Sequence, residues 1–314
     1  MDKDDSLIVS DSMVLHSQLR LRWMVGFACL LTLAFSGTLF SLAVHVSNSH
    51  LHSHILLIPF ICAYLIRIKW RELPQVYDSS FGWAIIAFGL GGATLVAGKV
   101  FGVGMGSSND SLALMTLSYI FFLVGGGFQF LGRAWMAKAA FPVGFLIFMV
   151  PLPDGVVTWV ENALVLASAE ATHLFFGIAG TPVFREGTVF HIPGIVLRVA
   201  TECSGIRSSW VLFITSLLAS YLFLRSPWHR AILVALVIPL GILRNGFRIM
   251  VIGLLCVNVG PEMIESAIHK RGGPFFFGLS LIPLFLVAWC LYRREGTART
   301  AETRRESHDY SNED

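Results

Sequence analysis

The chain has 314 residues, of which 55% are apolar and only 14% charged, and its formal net charge is +3. Such a composition excludes a disordered, collagenous or disulfide-stapled chain and points to a bilayer, while a charge this small and scattered excludes a nucleic-acid partner. Residues 1–22 and 293–314 carry 7 and 11 of the 43 Asp, Glu, Lys and Arg, leaving 25 for the 270 residues between, too few for a water-facing surface. The expected organisation is therefore a cytoplasmic N-terminal tail (1–23), a single membrane domain (24–292) and a charged cytoplasmic C-terminal tail (293–314).

From the N-terminus, the first apolar run, Met24–Val46, is longer than the core of a signal peptide and is read as a span. A spanning helix needs roughly 20 apolar residues to cross about 30 Å of hydrocarbon. Eight stretches approach that length: Met24–Val46, Leu51–Ile68, Phe81–Phe101, Leu112–Leu131, Ala134–Val150, Ile206–Leu224, Ala231–Leu255 and Pro274–Tyr292. A ninth, Val156–Ile178, carries Glu161, Asn162, Glu170 and His173. Basic residues collect on the cytoplasmic side of span ends, here as Arg20/Arg22, Arg67/Lys69/Arg71, Arg133/Lys138, Arg225/Arg230 and Arg293/Arg294. All five clusters fall inside only if Val156–Ile178 does not cross. The expected fold is thus an all-α polytopic membrane protein with eight spans and one amphipathic interfacial helix.

Residues 182–200 alternate apolar and polar side chains around Glu186-Gly187 and Pro193-Gly194, which signal turns between short strands, so a small extracytoplasmic β-hairpin is expected there. By the same parity, the Val150–Gly155 turn, the stretch 179–205 and the loop 256–273 face outward.

Three polar motifs share that face: Thr201-Glu202-Cys203-Ser204-Gly205-Ile206-Arg207, Arg244-Asn245-Gly246-Phe247-Arg248 and His269-Lys270-Arg271-Gly272-Gly273. Cys203 just precedes a helix, whose positive N-terminal end favours a thiolate. Asn245 and Arg248 lie three apart on one helix face, and an arginine at that depth in the membrane marks a functional site by default. Its fork of donors suits a thiolate, a carboxylate or an oxyanion. His269 titrates near neutral pH and can shuttle a proton. Together, Cys, Arg and His form a kit for amide cleavage or transfer through a thioester. Arg244 competes with Arg248 for that role, and either arginine has Glu161 and Glu170 as structural alternatives.

Other features carry less. His45, His50, His52 and His54 have no acidic or cysteine companion in their short loop, and GVGMGSS at 102–108 lacks the setting of a phosphate loop, so both read as connectors. Gly89, Gly91, Gly92, Gly98 and Gly102 suit close helix packing. Cys29, Cys62, Cys256 and Cys290 sit in or at the ends of apolar runs without a CxxC pair. Neither HExxH nor GxSxG occurs, which argues against a zinc or serine membrane protease.

The sequence resembles the exosortase/archaeosortase family of membrane cysteine transpeptidases in ECSGIRS at 202–208, in NGFRI at 245–249 as the family's Asn-x-x-Arg, in His269 followed by Gly272-Gly273, and in VPLP at 150–153. The likeness covers roughly residues 140–290, and a histidine at the third motif is closer to bacterial exosortases than to archaeosortases. It implies Cys203 as nucleophile, Arg248 as the essential arginine and His269 as the third member, with Glu202, Ser204 and Asn245 in support. It also implies a bacterial inner membrane, an extracytoplasmic active site and no metal or organic cofactor. The implied substrates are secreted proteins that end in a PEP-CTERM-like signal: a short motif, a transmembrane helix and a basic tail. The rival classes are a transporter or lipid-modifying membrane protein and a non-catalytic assembly factor linked to exopolysaccharide export.

Overall fold

In the computed structural model, which describes residues 4–49, 51–74, 77–104, 108–199, 204–260, 262–263 and 272–310, the chain divides into two compact units, Met1–Val157 and Thr158–Asp314. The first contains helices α1 (Asp4–Ala34), α2 (Ser36–Asn48), α3 (Ile58–Ile68), α4 (Phe81–Gly104), α5 (Ser108–Phe130), α6 (Gly132–Lys138) and α7 (Ala140–Phe145), with 3-10 turns at Ile55–Leu57, Trp70–Glu72 and Leu146–Met149. Helix α8 (Asp154–Ile178) begins in this unit and continues into the second.

The α4–α5 hairpin is the tightest packing in the first unit. Ser118 Oγ donates to Gly91 O at 2.7 Å and Ser111 Oγ to Gly98 O at 2.8 Å. A Cβ on Gly91 would meet the Phe122 ring at 3.2 Å and one on Gly98 would meet Met115 at 3.0 Å, so these two glycines do serve close approach. Gly89 and Gly92 face open space. Beside the hairpin, Leu73, Tyr77, Leu131, Trp135, Met136 and Ala139 form a buried core with Leu21 and Met24 of α1 packed against it.

The second unit holds strands β1 (Phe184–Glu186), β2 (Val189–Ile192) and β3 (Ile195–Arg198), then α9 (Ile206–Phe223), α10 (Pro227–Ala235), α11 (Val237–Asn258) and α12 (Gly273–Tyr310). Where the sequence suggested a two-stranded hairpin, the structure has a three-stranded antiparallel meander, with Glu186 paired to Val189 and Ile192 to Ile195. Both anticipated turns form. Gly187 (φ 61°) opens the first, and Pro193 with Gly194 (φ 81°) makes the second, the residue order a type II turn demands. The period-2 pattern buries Phe190 and Ile192 against Phe176 of α8 and Ile249 and Met250 of α11, while His191 points away.

The sheet is further fixed to α8 by Arg185, which makes paired bonds of 2.8 and 2.7 Å to the two carboxylate oxygens of Glu170. That bond holds the Arg185 guanidinium above its ordinary value. It also removes Glu170 from the candidate partners of Arg244 and Arg248.

Among the described residues, five helices are long and apolar enough to cross a membrane, or up to seven if each of two bent pairs counts as one span. The expected eight are not reached, for physical reasons visible in the chain. Leu51–Ile68 shortens to an apolar helix of Ile55–Ile68, and Ala134–Val150 is divided into α6, α7 and a 3-10 turn. Met24–Val46 bends by 66° between Gln18–Ala34 and Ser36–Ser47. Ala140–Met149 qualifies only when joined to Asp154–Ile178 across the Val150–Pro153 break. The flanking charged segments are themselves helical, in α1 from Asp4 and in α12 as far as Tyr310.

Within the second unit, α9, the α10–α11 pair and α12 share a core of Leu212, Leu224, Leu233, Val237, Leu284, Ala288 and Leu291. At one end of this bundle Glu295 accepts the backbone N–H groups of Arg225 and Ser226, both at 2.9 Å, and bonds His229 Nδ1 at 2.8 Å. The basic clusters at 225–230 and 293–294 therefore share one end. Ser204, Gly205 and Gly273, at the starts of α9 and of the last helix, lie at the other.

Candidate active site

Glu202, Cys203 and His269 lie outside the described residues. What the structure does place is the frame around them in sequence: Ser204 and Gly205 directly after Cys203, the Asn-x-x-Arg helix, and Gly272-Gly273 after His269.

Gly205 closes the turn into α9 with φ 72°, a left-handed conformation that disfavours any residue with a Cβ. Its carbonyl accepts the first hydrogen bond of α9, from Ser209 N–H at 3.0 Å. Ser204 is buried, and its Oγ accepts weakly from Ile206 N–H at 3.4 Å.

Helix α11 faces this turn with two side chains. Arg244, 9% exposed, donates from Nη2 to Ser209 Oγ at 3.2 Å and to Gly205 O at 3.4 Å. Asn245, 2% exposed, donates from Nδ2 to Ser168 Oγ of α8 at 3.0 Å. Gly246 then lets α8 and α11 approach, since a Cβ there would meet Ala171 Cβ at 2.6 Å and Thr172 N at 3.0 Å. Thr172 Oγ1 donates to Ser168 O of its own helix at 2.7 Å and, more weakly, to Gly246 O of α11 at 3.4 Å, which completes a buried polar seam between the two helices.

Arg248, one turn beyond Arg244, lines a cleft of about 480 Å³ together with Glu161, the Ser204–Ser208 segment, Gly273 and Phe277. It also borders a small cavity of about 30 Å³ with Leu197, Val199 and Asn245. The cleft is thus bordered by the starts of α9 and α12 and by α11, so all three sequence motifs contribute a neighbouring residue to one place. Of the expected site residues, Ser204 and Arg248 line the cleft, and Asn245 stands behind it as a strut to α8.

Sequence reasoning did not identify Ser168, Thr172 or Ser209. The first two are four apart on α8, a spacing that puts two small hydroxyls on one face, and this was their available signal. The histidines outside this unit form no metal centre of three ligands among the described residues.

No curated protein and no solved structure matches the chain. The model of the transmembrane exosortase family does match, over residues 46–286, which extends well ahead of the 140–290 region where the motifs lie. A match over more than half of the chain makes this protein a member of the transmembrane exosortase family.

Proposed function

We propose that this chain is a membrane-embedded cysteine protease/transpeptidase that cleaves the C-terminal sorting signal of secreted proteins on the extracytoplasmic face. The observation that carries the reading is the cleft shared by Ser204, Gly205, Arg248 and Gly273, because Ser204 follows Cys203 in the chain and Gly273 lies four residues after His269.

In this reading the substrate's own helix lies in the bilayer and its signal motif enters the cleft. The Cys203 thiol gives its proton to His269, and the sulfur attacks the scissile carbonyl carbon. Arg248 offers its guanidinium to the developing oxyanion. His269 then protonates the leaving amine, which departs with the helix and basic tail. The thioester left on Cys203 is resolved by an amine of a surface acceptor or by water, with His269 taking the incoming proton. Glu202, Ser204 and Asn245 support the arrangement, and membrane lipid surrounds it.

The test is Cys203→Ala and Cys203→Ser in cells that also produce a secreted protein ending in motif, helix and basic tail, followed by its size on a gel. Processing is expected to stop in both variants. Unchanged processing would overturn the reading and favour a transporter or an assembly factor.

A further inference from the structure

The proposed mechanism leaves one buried charge unused. Arg244 lies within the apolar Pro227–Asn258 span, is 9% exposed, and makes no ion pair among the described residues. Burying a guanidinium there is costly, and an apolar side chain of similar volume would commonly serve stability as well or better. Its two bonds go to neutral acceptors on α9, Gly205 O at 3.4 Å and Ser209 Oγ at 3.2 Å, while Nη1 is buried with no hydrogen-bond partner among the described residues.

Stabilising α9 is not a sufficient reason for that placement. A cation beside a helix N-terminus opposes the helix dipole, so the charge weakens the element it touches. What it does secure is the turn. Gly205 O accepts from Ser209 N–H, Ser208 Oγ and Arg244 Nη2, and a Cβ on Gly205 would meet Arg244 Nη2 and Asn245 Oδ1, each at 3.2 Å. The left-handed turn that follows Cys203 is therefore seated directly on Arg244 and Asn245. A cation at that point also favours a negative charge on the residues just ahead of it.

We infer that Arg244 is a positioning residue, which clamps the Ser204-Gly205 turn to α11 so that Cys203 is presented to the cleft as a thiolate, a role separate from that of Arg248. The inference rests on the proposed reading of Cys203 as the nucleophile.

The experiment measures the rate at which N-ethylmaleimide alkylates Cys203 in the purified full-length protein, read by mass spectrometry of the Cys203 peptide from pH 5 to 10. For the wild type, a midpoint clearly below the ordinary thiol value of about 8.5 is expected. Arg244→Met, which keeps the volume and drops the donors and charge, is expected to stay folded, to raise that midpoint by about one pH unit and to slow alkylation at pH 7 about fivefold or more. Arg244→Lys restores donors and charge, and is expected to recover most of the shift. A purely structural role would leave the midpoint unmoved in a folded Arg244→Met protein, and that result overturns the inference. If Arg244→Met does not fold, Ser209→Ala removes one acceptor of the clamp and is expected to move the midpoint in the same direction by less; no movement overturns the inference. A wild-type midpoint near 8.5 would instead overturn the nucleophile reading itself.

Discussion

Asn245 on α11 and Ser168 on α8 are joined by a 3.0 Å hydrogen bond between side chains that are 2% and 0% exposed. Removing one partner of a buried pair leaves the other unsatisfied, at a cost of about 1–3 kcal/mol. Asn245→Ala is therefore expected to lower the melting temperature and to reduce processing. Asn245→Ala with Ser168→Ala, which removes both partners, is expected to recover part of the lost stability, as measured by thermal unfolding in detergent.

One residue further along α11, the contact is steric. Gly246→Ala places a methyl 2.6 Å from Ala171 Cβ and 3.0 Å from the Thr172 backbone N, a short side chain and a helix backbone that cannot turn aside. Separation of α8 from α11 is the expected result, with a loss of about 1–3 kcal/mol. Ala171→Gly removes the nearest atom of the clash, so the double variant should be more stable than Gly246→Ala alone. Additive destabilisation in the cycle would show that the two positions do not touch.

Much of this arrangement was legible in the sequence, because the signals were local. Gly187 and Pro193-Gly194 announce turns by backbone geometry alone, and both turns form. Asn245 and Arg248 announce themselves as polar groups in an apolar helix. Which neighbours Arg244 and Arg248 meet across α9 and α8 was not legible, because spacing along one helix contains no such information. The expected count of eight spans is not reached among the described residues for a related reason. Hydropathy registers that residues 134–150 are apolar, but not that Gly132 (φ 84°) and the breaks around Ala139 divide the run into short pieces. Ser168 and Thr172 escaped notice because small hydroxyls in an apolar helix usually bond their own backbone, as Thr172 also does.

His52 is expected to give the first unit a pH response. The structure leaves His52 in the connection between α2 and the Ile55–Leu57 turn, 5% exposed, with Ser49 Oγ at 3.0 Å from Nδ1 and the His45 ring centroid at 5.3 Å. Burial, with the nearby charges of His45 and His54 outweighing Asp154, lowers its pKa from 6.5 to about 4. The unfolded chain thus binds a proton below about pH 6.5 that the folded chain refuses until about pH 4. His52 leaves stability intact above that window and reduces it as pH falls through it, by at most about 3 kcal/mol. His52→Gln is expected to flatten the fall in melting temperature between pH 7 and pH 4.5, relative to wild type.

The final prediction concerns sidedness. Glu295 holds Arg225 and Ser226 at one end of the second unit's bundle, while the cleft opens where α9 and α12 begin, beside Arg248 in the second half of α11. Since basic clusters favour the cytoplasm, the Arg225 end should be inside and the Asn258 end of α11 outside. With the five native cysteines replaced, single cysteines at Arg225→Cys and Asn258→Cys separate the two ends. A membrane-impermeant maleimide applied to intact spheroplasts is expected to label the residue at 258 and to reach 225 only after lysis. The reverse pattern would place the cleft on the cytoplasmic side and remove secreted proteins as its substrates, and labelling of both positions from outside would break the assignment of α10 and α11 to a single crossing.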